Sequence, residues 1–136
     1  MHDLIIEQAL LGPVRVLIGG NRFDLYSIAY ALAVQVGDGF YHILENHITL
    51  SRAEICPQMV ELLANTETKP VTTLVSDLLT PFYEEGFPDS EVDNLLFESI
   101  LELRRMSTQA TVIVSAHSEP HRERLFHALA RAAVLV

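Results

Sequence analysis

Short apolar runs rich in β-branched residues recur along the chain and predict its strands. Pro13 to Gly20 is such a run and ends in two glycines, which is typical of a buried strand. Val71 to Leu79 and Thr111 to Ala116 have the same character, and Phe40 to Leu44 is a shorter strand candidate. The stretches between these runs are long enough to hold helices.

Those intervening segments carry the apolar spacing and the end signals of helices. Phe23 to Val36 is apolar on nearly every side, as expected of a helix buried on more than one face. Val92 to Met106 has a clear helical period and ends on two basic residues, which the helix dipole favours. Ser51 to Glu54 fits a capping box and predicts that a helix begins at its serine. Ser118 is expected to cap a last helix that runs to about Ala133.

Strands separated by helices of about 10 to 16 residues imply βαβ units and a mostly parallel sheet. We therefore predict an α/β fold in which helices flank both faces of the sheet, as a three-layer sandwich. Residues 1–136 are long enough for one domain. The apolar C-terminus, Ala128 to Val136, predicts either a final strand or a contact with a partner subunit, and we favour the strand.

Composition and charge limit the classes of function. Cys56 is the only cysteine, so a disulfide scaffold is excluded, and the formal net charge of -9 argues against a broad duplex-DNA interface. We do not expect direct DNA binding. If DNA did bind, the first residues to replace would be Arg104, Arg105, Arg122, Arg124 and Arg131.

The N-terminal segment and the apolar stretches predict where the protein resides. Met1 to Leu10 carries Asp3 and Glu7 without a basic cluster, so we do not expect a signal peptide. Leu25 to Val36 is the longest nearly apolar stretch and is shorter than the roughly 18 residues that a membrane span needs. We expect a cytoplasmic protein with no membrane partner.

A glycine-rich turn follows the first predicted strand, where ligands bind in open parallel sheets. Its backbone N–H groups are candidates for binding a phosphate at the start of the next helix. No lysine occupies the phosphate-loop position in either register. The alternative is a tight turn in which an asparagine or aspartate caps the helix. The candidate binding residues are Gly19, Gly20, Asn21, Arg22, Asp24 and Ser27.

Two further strand ends carry candidate chemistry. Asp77 ends an apolar strand, as do aspartates that hold Mg²⁺ beside a nucleotide, although it is also suited to capping a loop. His117 follows another strand and is suited to contacting a ligand's outer phosphate or to acting as a base. Its spacing from His121 is compatible with metal ligation, but we expect a strand–helix junction to separate the two histidines. Cys56 is either a buried apolar residue or a thiol whose pKa a helix start lowers.

In their order, these segments resemble the RecA-like ATPase core, the fold of bacterial RecA and archaeal RadA recombinases. Val14 to Val36 is similar to the strand, phosphate loop and helix of that family, and His47 to Ala53 to the segment after its second strand. Val71 to Asp77 resembles the second nucleotide motif, with Asp77 at the Mg²⁺-associated position. Val112 to His117 resembles the following strand, with His117 near a polar sensor position.

The resemblance implies a P-loop NTPase topology, whereas the missing lysine implies that the catalytic activity is lost. We accordingly predict a degenerate, non-catalytic RecA-like module that associates with a protein partner or with itself, accessory to DNA repair or recombination. The alternative is a nucleotide-binding protein or weak ATPase that uses ATP and Mg²⁺ through Gly19 to Ser27 and Asp77. A third possibility is another α/β enzyme with a small anionic substrate near Arg22 and His117.

Overall fold

Parallel strands form the centre of the fold. In the computed structural model, which describes residues 1–133, they are β1 (Val14–Gly19), β2 (Ile48–Ala53), β3 (Thr72–Ser76) and β4 (Val112–Val114). Their order across the sheet is β2-β1-β3-β4, and every neighbouring pair is parallel. The predicted parallel sheet is confirmed.

Helices cover both faces of this sheet, so the predicted three-layer α/β sandwich is also confirmed. One layer packs on one face around Ile5, Ile28 and Leu32, and the other packs on the opposite face around Met59 and Leu125. The first layer contains α1 (His2–Leu11), α2 (Leu25–Val36) and α3 (Phe40–His47), and the second contains α4 (Cys56–Asn65), α5 (Asp89–Ser107) and α6 (Glu123–Ala132).

β1 is buried at every position because it lies inside the sheet with helices on both sides. Val16 and Ile18 belong to the core under α1 to α3, whereas Leu17 belongs to the core under α4 to α6. Side chains alternate between the two faces of a strand, so both faces of β1 must be apolar. This explains why the strand is a nearly continuous apolar run.

The prediction of a strand at Phe40 to Leu44 is wrong, because these residues begin the helix α3. Phe40, Ile43 and Leu44 are partly buried against the core under α1 and α2. Their spacing of three and four residues is helical, but a five-residue window is too short to distinguish it from an apolar strand. The second strand lies further along, at Ile48–Ala53.

The predicted helix start at Ser51 is also wrong. Ser51 lies within β2, where it is in register with Leu17 of β1, and the pairing continues to Ala53. α4 begins only at Cys56, with Pro57 in its first turn, where a missing N–H costs nothing. The Gln58 side chain accepts hydrogen bonds from the backbone N–H groups of Glu54 and Ile55, at 3.0 and 3.4 Å.

The last helix begins later than predicted. Ser118 does not cap it, because a short 3-10 turn at Pro120–Arg122 intervenes and α6 begins at Glu123. Of the C-terminal segment predicted as a strand, residues 128–132 are helical. Residues 134–136 lie outside the described part of the chain.

α5 is the longest helix of residues 1–133, with 19 residues. As predicted, Arg104 and Arg105 lie in its last turn, and its first turn contains Asp89 and Glu91. Neither α5 nor any other helix in this part of the chain is long and apolar enough to cross a membrane.

Candidate functional site at the carboxyl edge of the sheet

The strand order creates a switch point between β1 and β3. The chain passes from β1 to one edge of the sheet at β2, and from β3 to the other edge at β4. The connections after β1 and β3 therefore diverge, and in open α/β sheets ligands bind in the crevice at such a point. The glycine turn and Asp77 flank this position.

The loop after β3 packs directly against the two glycines of that turn. A Cβ on Gly19 would lie 2.1 Å from the Asp77 carbonyl oxygen and 2.9 Å from Pro81 Cδ. Gly20 has a φ of +84°, and a Cβ there would lie 2.7 Å from Thr80 Cγ2. Both positions thus require glycine so that the two loops can approach each other.

The turn also has less capacity for an anion than its glycines suggest. The Gly20 N–H donates to the Ala53 carbonyl at 2.8 Å, so this amide is already bound within the protein. Gly19 and Gly20 are buried, whereas Asn21 and Arg22 are exposed. The candidate phosphate-binding residues therefore do not form a single open cradle.

Asp24 caps α2, as the alternative interpretation of this segment expects. Its carboxylate accepts hydrogen bonds from the Tyr26 N–H at 2.9 Å and from the Ser27 hydroxyl at 2.8 Å. The bond from Ser27, together with those from the backbone, lowers the pKa of the exposed Asp24 carboxyl below its ordinary value. The Ser27 hydroxyl proton is thus used within the cap.

Asp77 is held in an unusual backbone conformation at the end of β3. Its φ of +56° lies in the left-handed region, which aspartate tolerates better than most residues. Its N–H donates to the Ser115 hydroxyl at 3.0 Å, and the next N–H, of Leu78, donates to the Ser115 carbonyl at 3.1 Å. The segment after β4 therefore fixes where Asp77 lies.

A cleft of about 450 Å³ opens beside Asp77 at this edge of the sheet. Among the predicted site residues, only Asp77 lines it. No group of three or more His, Cys, Asp or Glu side chains suited to a metal occurs within residues 1–133. Sequence reasoning missed the part of the lining at Met1 to Asp3, because the start of α1 carries no chemical motif. The lining residues are Met1, His2, Asp3, Ser76, Asp77 and Ser115.

His117 belongs to a separate cluster around Tyr83 and does not line this cleft. Its Nε2 lies 3.2 Å from a Glu119 carboxylate oxygen, and its ring packs on the Tyr83 ring at 5.3 Å. The Tyr83 hydroxyl donates to the His117 carbonyl, and burial raises the pKa of that hydroxyl above its ordinary value. His121 also contacts Tyr83, through its Nε2 at 3.1 Å from the carbonyl oxygen.

Arg122 has a structural role that its sequence position did not indicate. It is buried, and its guanidinium donates to the carbonyl groups of Phe82, Glu84 and Phe87. It also lies 3.4 Å from an Asp89 carboxylate oxygen. Arg122 therefore holds the segment between β3 and α5 in place.

Two more of the arginines nominated as DNA contacts are used within the protein. Arg105 donates to the carbonyl groups of Leu63 and Thr66 and pairs with Glu102. Arg124 pairs with carboxylates of α5, which raises its pKa above the ordinary value. Guanidinium groups paired in this way have less charge to offer to phosphates.

Cys56 is fully buried at the start of α4. Burial raises the pKa of its thiol above the ordinary value, so of the two interpretations the buried apolar residue is confirmed and the thiol with a lowered pKa is not. The loss of solvation raises the thiol pKa by more than the backbone N–H at the start of α4 lowers it. Cys56 packs in the same core as Met59 and Phe82.

Comparison with known proteins does not extend this picture, since no protein-family model matches the chain and no curated protein matches it significantly.

Proposed function

We propose that the chain is a non-catalytic RecA-like module that works by protein association, accessory to a DNA repair or recombination ATPase. The observation that carries the association is the outer face of α2. Tyr26, Tyr30 and Val34 are exposed there by 87%, 74% and 69% of their surface. These residues recur every four positions and form one stripe along the helix.

The α2 stripe, defined as Tyr26, Tyr30 and Val34, has the chemistry of an interface. Leu25–Val36 contains no charged residue, although the chain carries a net charge of -9. Tyrosine is enriched at the centres of protein interfaces, and a contiguous apolar face on a surface helix favours burial by a partner.

The partner that suits this stripe is a second copy of the chain. Two α2 helices that meet antiparallel across a two-fold axis would place the Tyr30 residues of both copies at the centre. Tyr26 of each copy would then lie opposite Val34 of the other. Such pairing brings no like charges together at its centre, because α2 has none.

The closed glycine turn supports the non-catalytic part of the proposal. The Gly20 N–H is bound to Ala53, the loop after β3 packs against both glycines, and no lysine is present in Gly19 to Ser27. The association with DNA repair or recombination depends on the RecA-like resemblance alone.

The test is the molar mass in solution, measured by size-exclusion chromatography with light scattering. The proposal expects twice the chain mass of 15.2 kDa, and a shift to the monomer in Tyr30→Asp. The matched control is Phe97→Asp on α5, an aromatic residue exposed by 62% in the opposite helical layer, which should leave the dimer intact. A wild-type monomer at high protein concentration would contradict the proposal.

A nucleotide-binding protein or weak ATPase is the second candidate, favoured by the cleft beside Asp77 at the switch point. It is tested by thermal unfolding with ATP and Mg²⁺. Ligand at 100 times its dissociation constant adds about 2.7 kcal/mol to the free energy of unfolding. A shift that Asp77→Asn abolishes would support this candidate, and no shift at millimolar nucleotide would exclude it.

A further inference from the structure

Arg15 is a buried cation without a carboxylate partner. It lies on β1, and only 8% of its surface is exposed. Its Nε donates to the Thr73 hydroxyl at 3.0 Å, and its Nη1 donates to the Glu67 backbone carbonyl. Within residues 1–133 it forms no salt bridge. Its hydrogen bonds are thus made to neutral oxygens only.

A buried charge in this position is unusual, because buried arginines are normally paired with an anion. Burial, followed by repulsion from Arg105, lowers the pKa of the Arg15 guanidinium below its ordinary value. Arg105 is itself paired with Glu102 at 2.7 Å, so that carboxylate is already used. The charge of Glu67 raises the pKa of Arg15, but by less than burial and Arg105 lower it, so the positive charge of Arg15 is only partly compensated.

The third nitrogen of this guanidinium, Nη2, is not enclosed by the protein. Every fully buried side-chain nitrogen and oxygen of the described residues has a hydrogen-bond partner, whereas no such bond is made by Arg15 Nη2. Nη2 must therefore be reached by solvent, and Arg15 indeed lines a cleft of about 300 Å³. Its N–H groups are free to donate into that space.

The lining of this second cleft is rich in hydrogen-bond donors. It contains Lys69, the only lysine of the chain, and the hydroxyl groups of Thr49 and Ser51. Thr49 is in register with Arg15 on the neighbouring strand. Glu67 is the one acidic side chain of the lining. The cleft thus gathers two cations against a single carboxylate.

We propose that this cleft binds a small oxyanion, the phosphate or carboxylate group of a small molecule. Arg15 supplies the buried charge and two fixed N–H donors, since a guanidinium matches the geometry of both groups. Lys69 supplies a second, flexible charge at the opening, and the hydroxyl groups of Thr49 and Ser51 complete the donor set. The site lies away from the glycine turn and does not depend on nucleotide binding.

The experiment titrates the full chain with inorganic phosphate and, separately, with succinate, and follows the heat of binding. Saturable binding of either probe is expected, and the stronger one identifies which oxyanion the site prefers. Because Lys69 is the only lysine, mass-spectrometric mapping of its acetylation reports on the cleft directly. The bound anion should slow that acetylation.

Substitutions of residues that line the cleft test whether the anion binds there. Arg15→Gln is expected to weaken the anion about tenfold or more, and Lys69→Gln by a few-fold, because Lys69 is more exposed. Glu67→Gln should strengthen binding, since it removes the opposing charge. Arg104→Gln, on the exposed side of α5, is the control and should change nothing.

If Arg15→Gln fails to fold, the opposite effects expected of Lys69→Gln and Glu67→Gln still decide the question. The proposal is overturned if neither probe binds at tens of millimolar. It is also overturned if Lys69→Gln and Glu67→Gln leave the affinity for the anion unchanged and the bound anion does not slow the acetylation of Lys69.

Discussion

Gly19 lies so close to Asp77 that a side chain on the glycine would meet the aspartate's carbonyl oxygen at 2.1 Å. Gly19 is the last residue of β1, and Asp77 directly follows the neighbouring strand β3, at the switch point of the sheet. Glycine is needed at position 19 because the backbone of Asp77 lies where a side chain would be. The glycines of this turn are thus accounted for by packing, without a bound phosphate.

Gly19→Ala is expected to destabilise the fold. The obstructing atom belongs to the backbone, so it cannot move aside as a flexible side chain could, and overpacking of this kind costs about 3 kcal/mol, the upper end of the usual range. Urea unfolding monitored by circular dichroism measures the change in the free energy of unfolding.

Gly39→Ala is the matched control for that substitution. A Cβ on Gly39 meets nothing within 4 Å, and the residue has a helical φ of -70°. Its replacement should be neutral or should stabilise the chain by about 0.5 kcal/mol. Equal losses in both variants would show that close packing at Gly19 is not the cause.

Arg122→Met should destabilise the protein far more than Arg124→Met. Arg122 is buried and serves three carbonyl groups between residues 82 and 87, which the substitution leaves without their donor. We expect a loss of about 3 kcal/mol. Arg124 forms only exposed pairs, and its replacement should cost less than about 1 kcal/mol. Similar losses in the two variants, measured by thermal unfolding, would contradict this role of Arg122.

The fold was predictable where a segment's own pattern decides its structure. β1 and β3 are buried strands because both faces of the sheet are covered, and their apolar runs reflect this. The strand predicted at Phe40 to Leu44 is wrong because five residues are too few to distinguish the helical period from the strand period. The helix start predicted at Ser51 is wrong because the pairing of Ser51 to Ala53 with β1 outweighs a local capping signal.

The clefts were less predictable than the strands, because contacts between distant segments form them. Arg15 and Glu67 are 52 positions apart, and only the fold shows that a carbonyl rather than a carboxylate meets the guanidinium. Asp77 was identified as the end of a strand. The start of α1, which lies beside it, carries no motif that connects the two.

Cys56 should make stability depend on pH in the alkaline range. The thiol ionises at about pH 8.5 in an unfolded chain, whereas burial raises its pKa in the folded chain. Above pH 8.5 the unfolded state therefore loses the proton first, and the free energy of unfolding falls as pH rises toward the folded pKa. Below pH 8.5 both states are protonated and this contribution is constant.

Cys56→Ala tests that dependence, because alanine has no proton to lose. Chemical unfolding between about pH 8 and 9.5 should give a declining free energy for the wild type and a flat one for the variant. Tyr83, whose pKa is also raised by burial, adds its own decline above about pH 10 in both proteins. An equal decline of wild type and variant below pH 9.5 would refute the assignment to Cys56.

Asp77 allows the backbone conformation at the switch point to be separated from the charge of its carboxylate. Its φ of +56° costs a β-branched residue about 1 to 2 kcal/mol more than it costs asparagine or aspartate. Asp77→Val should therefore lower the free energy of unfolding by about that amount, whereas Asp77→Asn should leave it within about 0.5 kcal/mol. Urea unfolding of the two variants in one buffer makes the comparison. If Asp77→Asn loses as much stability as Asp77→Val, the carboxylate rather than the left-handed backbone is what the fold requires at this position.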